Sequence, residues 1–335
     1  MRFAEACEKD FAKHETFHPR FGWLKKAHDG AANNPSIFNE EEAVVELGVG
    51  KNMVKSMRFW GTAFKILASI PHDGSRQQLL APSQLGHLLF RKDDGWDPFS
   101  ELPGTLWVLH WSLLSPKSRV PVWWLAMNEF SAIEFTAEEL EQFVAERSAD
   151  FTPTPSAIKK DVQCFLRMYS SGQSQRATFD DVIDCPFRDL ALIAPSPADP
   201  SSFRFSVGAK PTLPPEVAAF ACLDFIARTT PLAKTVNLSR LSSSEPGSPG
   251  RAFKLSEAAL EALLGQAAQQ HDDIVQLSSS AGITQLIFKD DPARCATDLL
   301  HAYYKRNKSH STSPFAAGPF ADSAVEICQP AGSQR

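Results

Sequence analysis

The chain has 335 residues, of which 43% are hydrophobic, and a formal net charge of −5. This length and apolar content allow a sizeable buried core and predict two or three domains rather than one. The negative charge excludes a uniformly basic protein that coats nucleic acid, so any nucleic-acid contact requires a local basic surface.

The six cysteines are widely scattered, and the sequence contains neither a CxxC pair nor a Cys/His cluster with zinc-finger spacing. This pattern predicts reduced, mostly buried thiols in a cytoplasmic protein. Residues 1–20 lack the apolar segment of a signal peptide, and no apolar run approaches the ~18–20 residues that cross a bilayer. We therefore expect a soluble, intracellular protein.

The N-terminal part of the chain is predicted to be helical. One helix begins at Trp23, and a second is expected to be capped by Asn39, with Glu40–Glu42 in its first turn. A Gly-Val-Gly turn then leads into a helix from Lys51 to about Ser69. Two further helices follow on either side of a turn at 93–97, and the strings GTLWVLHWSLL and PVWWLAMNEF predict buried helices.

The C-terminal part is predicted to mix helices with strands. Thr136 and Glu139 form a capping box at the start of TAEELEQFVAERS, and a later helix begins near Ser156. FRFSVGAK predicts a strand, and DIVQLSSSAGITQLIF predicts two strands around a Ser/Gly turn. The last helix is ARCATDLLHAYYKR, and no repeat of fixed period is found.

The predicted fold is mainly α with short β-hairpins, which places it in the α+β class. We expect a helix-turn-helix DNA-binding domain over residues 1–130 and a winged-helix-like α+β domain over 131–307. Residues 308–335 are rich in Ser, Pro, Ala and Gly, a composition that predicts a disordered tail.

The segment VVELGVGKNMVKSMRFW has the register of a helix-turn-helix. Val44 precedes Gly48 by four residues, while Val54 and Met57 follow it by six and nine. Gly suits the turn because backbone φ is often positive there. The register departs from the motif at Gly50, because glycine is a weaker helix cap than Ser or Thr. This pattern directs Val44, Val54 and Met57 inward.

The same segment carries a basic stripe. Lys51, Lys55 and Arg58 share one helix face, and Asn52 lies at the helix start, where it could reach a base edge. Residues 47–66 contain four basic residues and no acidic ones. This pattern favours contact with double-stranded DNA, while the alternative is a tight helical hairpin with a solvated basic face.

A second basic element is FHPRFGWLKK, in which Arg20, Lys25 and Lys26 alternate with aromatic residues. Aromatic rings interleaved with basic side chains can stack on bases and hold phosphates. The alternative, which we favour, is that the aromatic residues belong to the core and the charges form its rim.

The sequence contains no P-loop, GxSxG or HExxH pattern and no recognisable nuclease core. The densest acidic cluster, TFDDVIDCPFRDL, contains Asp180, Asp181 and Asp184. Converging carboxylates can bind Mg²⁺, which activates water and neutralises the leaving oxygen in phosphodiester hydrolysis. The favoured alternative is that these carboxylates cap a helix and face solvent.

Adjacent Tyr303 and Tyr304 lie close to His301 and Lys305 in the sequence. A tyrosine in such surroundings could be a phosphodiester nucleophile. We favour the alternative, an amphipathic terminal helix that buries one of the two tyrosines.

The strings FHPRFGWLKK, LGVGKNMVKSMRFW, DCPFRDL and GSPGRAFKL resemble the SspB proteins of bacterial DNA phosphorothioation (Ssp) defence systems, over residues 1–305. This resemblance implies a role beside a cysteine desulfurase, an ATPase and a sulfur-transfer protein, in a pathway that replaces one backbone oxygen of DNA with sulfur. It also implies Mg²⁺-dependent nicking of one strand, but it identifies no catalytic residue in this chain.

The leading hypothesis is a DNA-binding component of such a system that nicks duplex DNA with Mg²⁺. One alternative is a non-catalytic adaptor that binds DNA and recruits the sulfur-transfer or ATPase proteins through an apolar, Trp-rich surface. The other is a transcriptional regulator, which should bind one operator sequence tightly.

Overall fold

The computed structural model describes residues 2–71, 78–170, 185–199 and 201–308, which combine helices with small antiparallel sheets. The α-helices are α1 (Phe3–Ala6), α2 (Trp23–Asn33), α3 (Ala43–Glu46), α4 (Lys51–Ala63), α5 (Gln84–Phe90), α6 (Pro103–Leu114), α7 (Pro121–Asn128), α8 (Ala137–Arg147), α9 (Pro155–Tyr169), α10 (Pro215–Thr229), α11 (Pro249–Ala252), α12 (Glu257–Gln270) and α13 (Pro292–Lys308). The strands are β1 (Leu67–Ile70), β2 (Leu79–Pro82), β3 (Glu134–Thr136), β4 (Ile193–Pro195), β5 (Ser202–Phe205), β6 (Thr235–Asn237), β7 (Val275–Ser280) and β8 (Ile283–Phe288). The α+β class with short hairpins is confirmed.

The described residues form two compact units. The N-terminal unit comprises residues within 2–100 and 112–206, and the C-terminal unit comprises 101–111 and 207–308. The sequence-based boundary at 130/131 falls inside the N-terminal unit. Apart from Lys308, which ends α13, the predicted tail lies outside the described residues.

Two of the three sheets share one strand order. In the N-terminal unit β5 pairs with both β3 and β4, and in the C-terminal unit β8 pairs with both β6 and β7. Among the described residues, the α-helices and strands around each of these sheets follow the same chain order, namely α7–β3–α8–α9–β4–β5 and α10–β6–α11–α12–β7–β8. The third sheet is the β1–β2 hairpin, which follows α4. The two units therefore share one arrangement of helices and strands, although the sequence contains no repeat of fixed period.

Aromatic rings join three helices of the N-terminal unit. The Trp60 ring of α4 lies 5.7 Å from that of Trp123 in α7, which in turn lies 5.7 Å from that of Phe165 in α9. All three side chains are at most 1% exposed. Aromatic pairs at such separations add roughly 0.5–1.5 kcal/mol each to the free energy gained by burial. The core therefore holds α4 and α9 in one packed body.

The part of the apolar helix α6 that belongs to the C-terminal unit, residues 103–111, forms hydrogen bonds through three of its side chains. Trp111 Nε1 donates to Asp224 Oδ2 at 2.6 Å, and Trp107 Nε1 donates to Thr212 Oγ1 at 3.1 Å. His110 is fully buried and donates through Nε2 to the carbonyl of Ala252 at 2.9 Å. These bonds satisfy groups whose burial would otherwise be costly.

Local signals predicted several boundaries. Thr136 Oγ1 accepts from Glu139 N at 3.2 Å while Thr136 N donates to Glu139 Oε2 at 2.7 Å, so the capping box is present. Helix α9 begins at Pro155, with Thr154 as its cap, one residue before the predicted start. The predicted hairpin is β7–β8, and the predicted buried helices are α6 and α7.

Two predicted helices near the Gly-Val-Gly turn are wrong in extent. Asn39 does not cap a helix but closes a short 3-10 turn, and its side chain donates to the carbonyl of Gln78 at 3.1 Å. The next helix, α3, is a single turn. Helix α4 ends at Ala63 rather than near Ser69, because Lys65 adopts a left-handed φ of 58° and Leu67 starts β1.

No helix of the described residues is long and apolar enough to cross a membrane. The predicted burial of the thiols is confirmed for the five described cysteines, which are all free and buried.

Candidate nucleic-acid interface

The turn before α4 has the predicted backbone. Gly48 has φ of +64°, a conformation that side chains with a Cβ rarely adopt, and no atom lies within 4 Å of the position of an added Cβ. Glycine is therefore required here by the backbone conformation and not by a close neighbour. Gly50 is extended and serves as the cap of α4 without a side-chain bond.

The inward face of α4 agrees with the predicted register at two positions of three. Val54 is 5% exposed and Met57 is fully buried. Val44, however, is 38% exposed, while its neighbours Ala43 and Leu47 are buried. The prediction for Val44 is wrong because α3 is too short to present the face that a longer first helix would have.

The outward face of α4 begins with three exposed side chains, those of Lys51, Asn52 and Lys55. The Lys55 ammonium lies 3.7 Å from Glu15 Oε1, and 55% of the lysine side chain is exposed. An exposed pair at this separation contributes little stability, so Lys55 can exchange this partner for a phosphate at small cost. Lys51 has no ion pair among the described residues.

Arg58 differs from the two lysines, because it is only half-exposed and already bonded. Its Nη1 donates to Asn39 Oδ1 at 3.2 Å and its Nη2 donates to Gln78 Oε1 at 3.3 Å. Burial and the charge of Arg119 lower the pKa of Arg58, which still leaves a guanidinium charged at neutral pH. Arg58 therefore ties α4 to the loop that precedes it and to the residue before β2.

The basic residues around α2 are largely occupied within the unit. The guanidinium of Arg20 lies 6.0 Å from the Phe17 ring centroid and 5.8 Å from that of Trp23, and Trp23 is buried. Lys25 forms an ion pair with Asp29 and is mostly buried. These contacts favour the interpretation of FHPRFGWLKK as an aromatic core with a charged rim.

Lys26 is the exception among these residues. Its side chain is exposed, and its Nζ donates to the carbonyl of Leu47 at 3.2 Å. Leu47 immediately precedes the Gly48 turn, so Lys26 lies beside the turn that leads into α4. Among the three predicted basic residues of this segment, Lys26 is the one placed near the exposed stripe.

A loop at residues 12–17 connects α4 to α9. Asp161 of α9 accepts from Ala12 N at 2.9 Å and lies 2.7 Å from His14 Nε2, in a pair that is almost completely buried. Trp60 Nε1 of α4 donates to the carbonyl of Phe17 at 3.0 Å. The His14 ring stacks on Trp60 with centroids 6.0 Å apart. Sequence reasoning missed this loop, because His14 and Asp161 are separated by more than a hundred residues.

The predicted metal ligands Asp180, Asp181 and Asp184 lie outside the described residues. Of the same acidic string, Asp189 is described and is exposed on a short 3-10 turn. Among the residues that the structure describes, no group of three or more His, Cys, Asp or Glu side chains could hold a metal ion. The described residues therefore contain no converging cluster of carboxylates of the kind predicted from the sequence.

The tyrosine pair belongs to the core. Tyr304 is fully buried with its hydroxyl 3.0 Å from Thr105 Oγ1, and Tyr303 is 4% exposed with its hydroxyl accepting from Gly104 N at 3.1 Å. Burial of these rings supports the favoured alternative and removes both tyrosines as nucleophiles for a DNA strand. The structure buries both rings, whereas the sequence predicted burial of one.

The described thiols are poor nucleophiles. Burial raises the pKa of Cys7 and Cys164 well above the usual range and that of Cys185 to about 12. Burial also raises the pKa of Cys222 and Cys295. A thiol reacts and carries sulfur as the thiolate, so these five are in the unreactive protonated form at neutral pH.

Comparison with known proteins gives one family and two solved structures. The family model described as "Protein of unknown function (DUF4007)" matches residues 11–304. A solved structure described as "SspB crystal structure" is 40% identical, with 93% of each chain covered and a TM-score of 0.85. A "Magnesium ion-bound SspB crystal structure" is 39% identical, covers 94% of this chain and 93% of that chain, and has a TM-score of 0.85. No curated protein sequence matches the chain significantly.

Proposed function

The chain belongs to the SspB-like family with the description DUF4007, and on that premise we propose that it is a DNA-binding component of a bacterial DNA phosphorothioation defence system. In this proposal the protein docks on duplex DNA through α4 and nicks one strand in the presence of Mg²⁺. Its partners are the sulfur-transfer and ATPase proteins of the same system, and its location is the cytoplasm.

The observation that carries the docking proposal is the outward face of α4. Lys51 and Lys55 are exposed at a spacing of one helical turn, and Asn52 lies beside them at the helix start. Lysines at this spacing can contact phosphates, whereas Asn52 has the amide that can pair with an adenine edge. Arg58 joins α4 to Asn39 and Gln78, and Lys26 extends this face at the Gly48 turn, whereas Arg20 lies against the Phe17 and Trp23 rings.

The fold proposal is that α2, α3 and α4 form a helix-turn-helix followed by the β1–β2 hairpin as a wing. The two three-stranded sheets then complete winged-helix-like modules, one in each unit. Their element order of helix, strand, two helices and hairpin supports this proposal, as does pairing of the first strand with the last. The single turn of α3 is shorter than the first helix of a typical helix-turn-helix, which makes α2 the more substantial support for α4.

The nicking proposal rests on the family and on the similar SspB structure that contains a magnesium ion. Asp180, Asp181 and Asp184 remain the proposed Mg²⁺ ligands, outside the described residues. We assign no step of the reaction to a described residue, because no three His, Cys, Asp or Glu side chains among the described residues form a metal-binding group.

Incubation of the purified protein with supercoiled plasmid and Mg²⁺ tests the proposal. We expect open-circular product that disappears with EDTA and with an Asp180→Asn/Asp181→Asn/Asp184→Asn variant that still binds DNA. Binding without any nick over a range of divalent metals would favour the non-catalytic adaptor. Absence of both binding and nicking would overturn the proposal.

The adaptor alternative needs a different surface from the Trp-rich one predicted from the sequence. Six of the seven tryptophans are at most 4% exposed, so the Trp-rich segments form core and not a docking surface. The transcriptional-regulator alternative has a separate test: tight binding of the protein to one operator sequence would favour it.

A further inference from the structure

Helix α9 exposes a polar face with three cations. Lys159, Lys160, Gln163 and Arg167 are all exposed and recur at helical spacing, while Ile158, Val162 and Phe165 on the other side are buried. Neither Lys159 nor Lys160 has an ion pair among the described residues. The two lysines of α9 therefore face solvent without a described carboxylate to neutralise them.

Arg188 adds a fourth cation at the end of this face. Its Nε donates to the carbonyl of Arg167 at 3.1 Å, and its side chain is half-exposed. A cation near the last carbonyls of a helix is favoured by the helix dipole. The positive charge therefore runs along α9 to its C-terminal end.

The loop 12–17 brings α9 and α4 to one surface. Arg167 Nη2 of α9 donates to the carbonyl of Thr16 at 2.8 Å, and Lys55 of α4 lies 3.7 Å from the carboxylate of Glu15. Because Glu15 and Thr16 are consecutive, the two basic side chains reach the same point of the same loop. The buried His14–Asp161 pair fixes that loop to α9, and the hydrogen bond from Trp60 to the carbonyl of Phe17 fixes it to α4.

Helices α4 and α9 also occupy equivalent positions in the chain order. Among the residues that the structure describes, α4 is the last α-helix before the β1–β2 pair and α9 is the last α-helix before the β4–β5 pair, with the 3-10 turn Pro186–Leu190 between α9 and β4. In a helix-turn-helix, the last helix of the motif is the one that enters the major groove. Their shared position makes α9 the counterpart of α4 in the second module of the same unit.

From these observations we propose that α9 is a second DNA-contacting helix, and that α4 and α9 hold one duplex together across the loop 12–17. This inference rests on the proposed DNA-binding function and extends it to Lys159, Lys160, Arg167 and Arg188. The occupant is the phosphate backbone of duplex DNA, because both helices expose cations and because Arg167 and Lys55 contact a loop whose only acidic side chain is Glu15.

The C-terminal unit provides an internal contrast. Helix α12 precedes the β7–β8 hairpin in the same way, yet residues 257–270 contain Glu257 and Glu261 and no Lys or Arg. An acidic helix in this position repels phosphate. DNA contact is therefore assigned to the two modules of the N-terminal unit and not to the module of the C-terminal unit.

The test compares three double variants by fluorescence anisotropy on a labelled duplex of about three helical turns. Lys159→Glu/Lys160→Glu probes α9 and Lys51→Glu/Lys55→Glu probes α4. Lys289→Glu/Lys305→Glu is the matched control, because it makes the same change in net charge at exposed positions of the C-terminal unit. Circular dichroism verifies that each variant is folded.

Loss of two phosphate contacts should weaken binding roughly 60-fold at about 0.1 M salt and flatten the slope of log K against log salt by about 1.8. We expect this effect from both the α9 and the α4 variant, and much less from the control. If the α9 variant matches the control while the α4 variant loses affinity, the α9 proposal is overturned and the proposed function stands. If the wild-type protein does not bind the duplex, the proposed function itself is overturned.

Discussion

Replacement of His14 with Ala removes one partner of the buried pair that anchors the loop 12–17. His14 Nε2 and Asp161 Oδ1 are 2.7 Å apart, and the two side chains are 2% and 3% exposed. Burial raises the pKa of Asp161, and the hydrogen bond from His14 opposes that rise. Without His14 the carboxylate keeps one backbone donor, Ala12 N at 2.9 Å.

Removal of one partner of a buried ion pair costs about 3–5 kcal/mol. We expect His14→Ala to lower the free energy of unfolding by about 3 kcal/mol, near the lower end of that range. Asp161 retains the hydrogen bond from Ala12 N and can take up a proton. Addition of Asp161→Asn to His14→Ala should cost less than the sum of the two single changes, since it removes the unpaired charge.

Urea unfolding followed by circular dichroism measures these free energies of unfolding. Lys13→Ala is the matched control, because Lys13 lies in the same loop and is exposed, and it should change the free energy by about 0.5 kcal/mol or less. A cost for His14→Ala no larger than that of Lys13→Ala would refute the role of this pair in anchoring the loop.

Other predictions concern the C-terminal unit and the thiols. Burial lowers the pKa of His110 to about 4, so its contribution to stability is complete above about pH 6.5 and is lost as the pH falls toward 4. The loss should reach roughly 3 kcal/mol, and His110→Gln should make pH-dependent unfolding shallower over that range; an unchanged profile would contradict the assignment. Gly104→Ala places a Cβ 2.5 Å from the Tyr303 ring and should cost about 1–3 kcal/mol, whereas Gly265→Ala, with no atom within 4 Å, should stabilise α12 by about 0.4–1 kcal/mol. Equal thermal shifts for these two variants would contradict the packing described for α6 and α13. In a Cys328→Ser variant the five buried thiols should react with a disulfide reagent only after unfolding, and rapid reaction of the native protein would contradict their burial.

Elements with a local physical cause could be predicted from the sequence. The capping box of Thr136 needs residues three positions apart, and the β7–β8 hairpin needs a Ser/Gly turn between two apolar strings. The apolar strings of α6 and α7 indicated burial for the same reason. In each case the signal lies within one element, so no distant partner had to be identified.

Elements that depend on partners elsewhere in the chain could not be predicted. Strand β1 continues the apolar pattern of α4, which predicted a helix to about Ser69, and only its pairing with β2 shows that these residues are extended. Asn39 is of a residue type that often caps helices. Its side chain instead donates to the carbonyl of Gln78 and accepts from Arg58. The stripe of Lys51, Lys55 and Arg58 was visible as spacing, but spacing alone did not show that Arg58 is already bonded.

The exposed face of α9 was missed for a related reason. Lys159 and Lys160 are ordinary residues of an amphipathic helix when that helix is considered alone. The two lysines become candidates for DNA contact only because Asp161 and Arg167 attach α9 to the loop that also contacts α4. That relation joins residues separated by well over a hundred positions, and no periodic pattern in one sequence contains it.

The measurement that most directly tests docking through α4 is the salt dependence of duplex binding by wild-type protein and by the Lys51→Glu/Lys55→Glu variant. We predict that the wild-type protein binds with an affinity that falls steeply with salt, and that the variant is weaker on every sequence with a slope flatter by about 1.8. Equal affinities and equal slopes for the two proteins would contradict docking through α4.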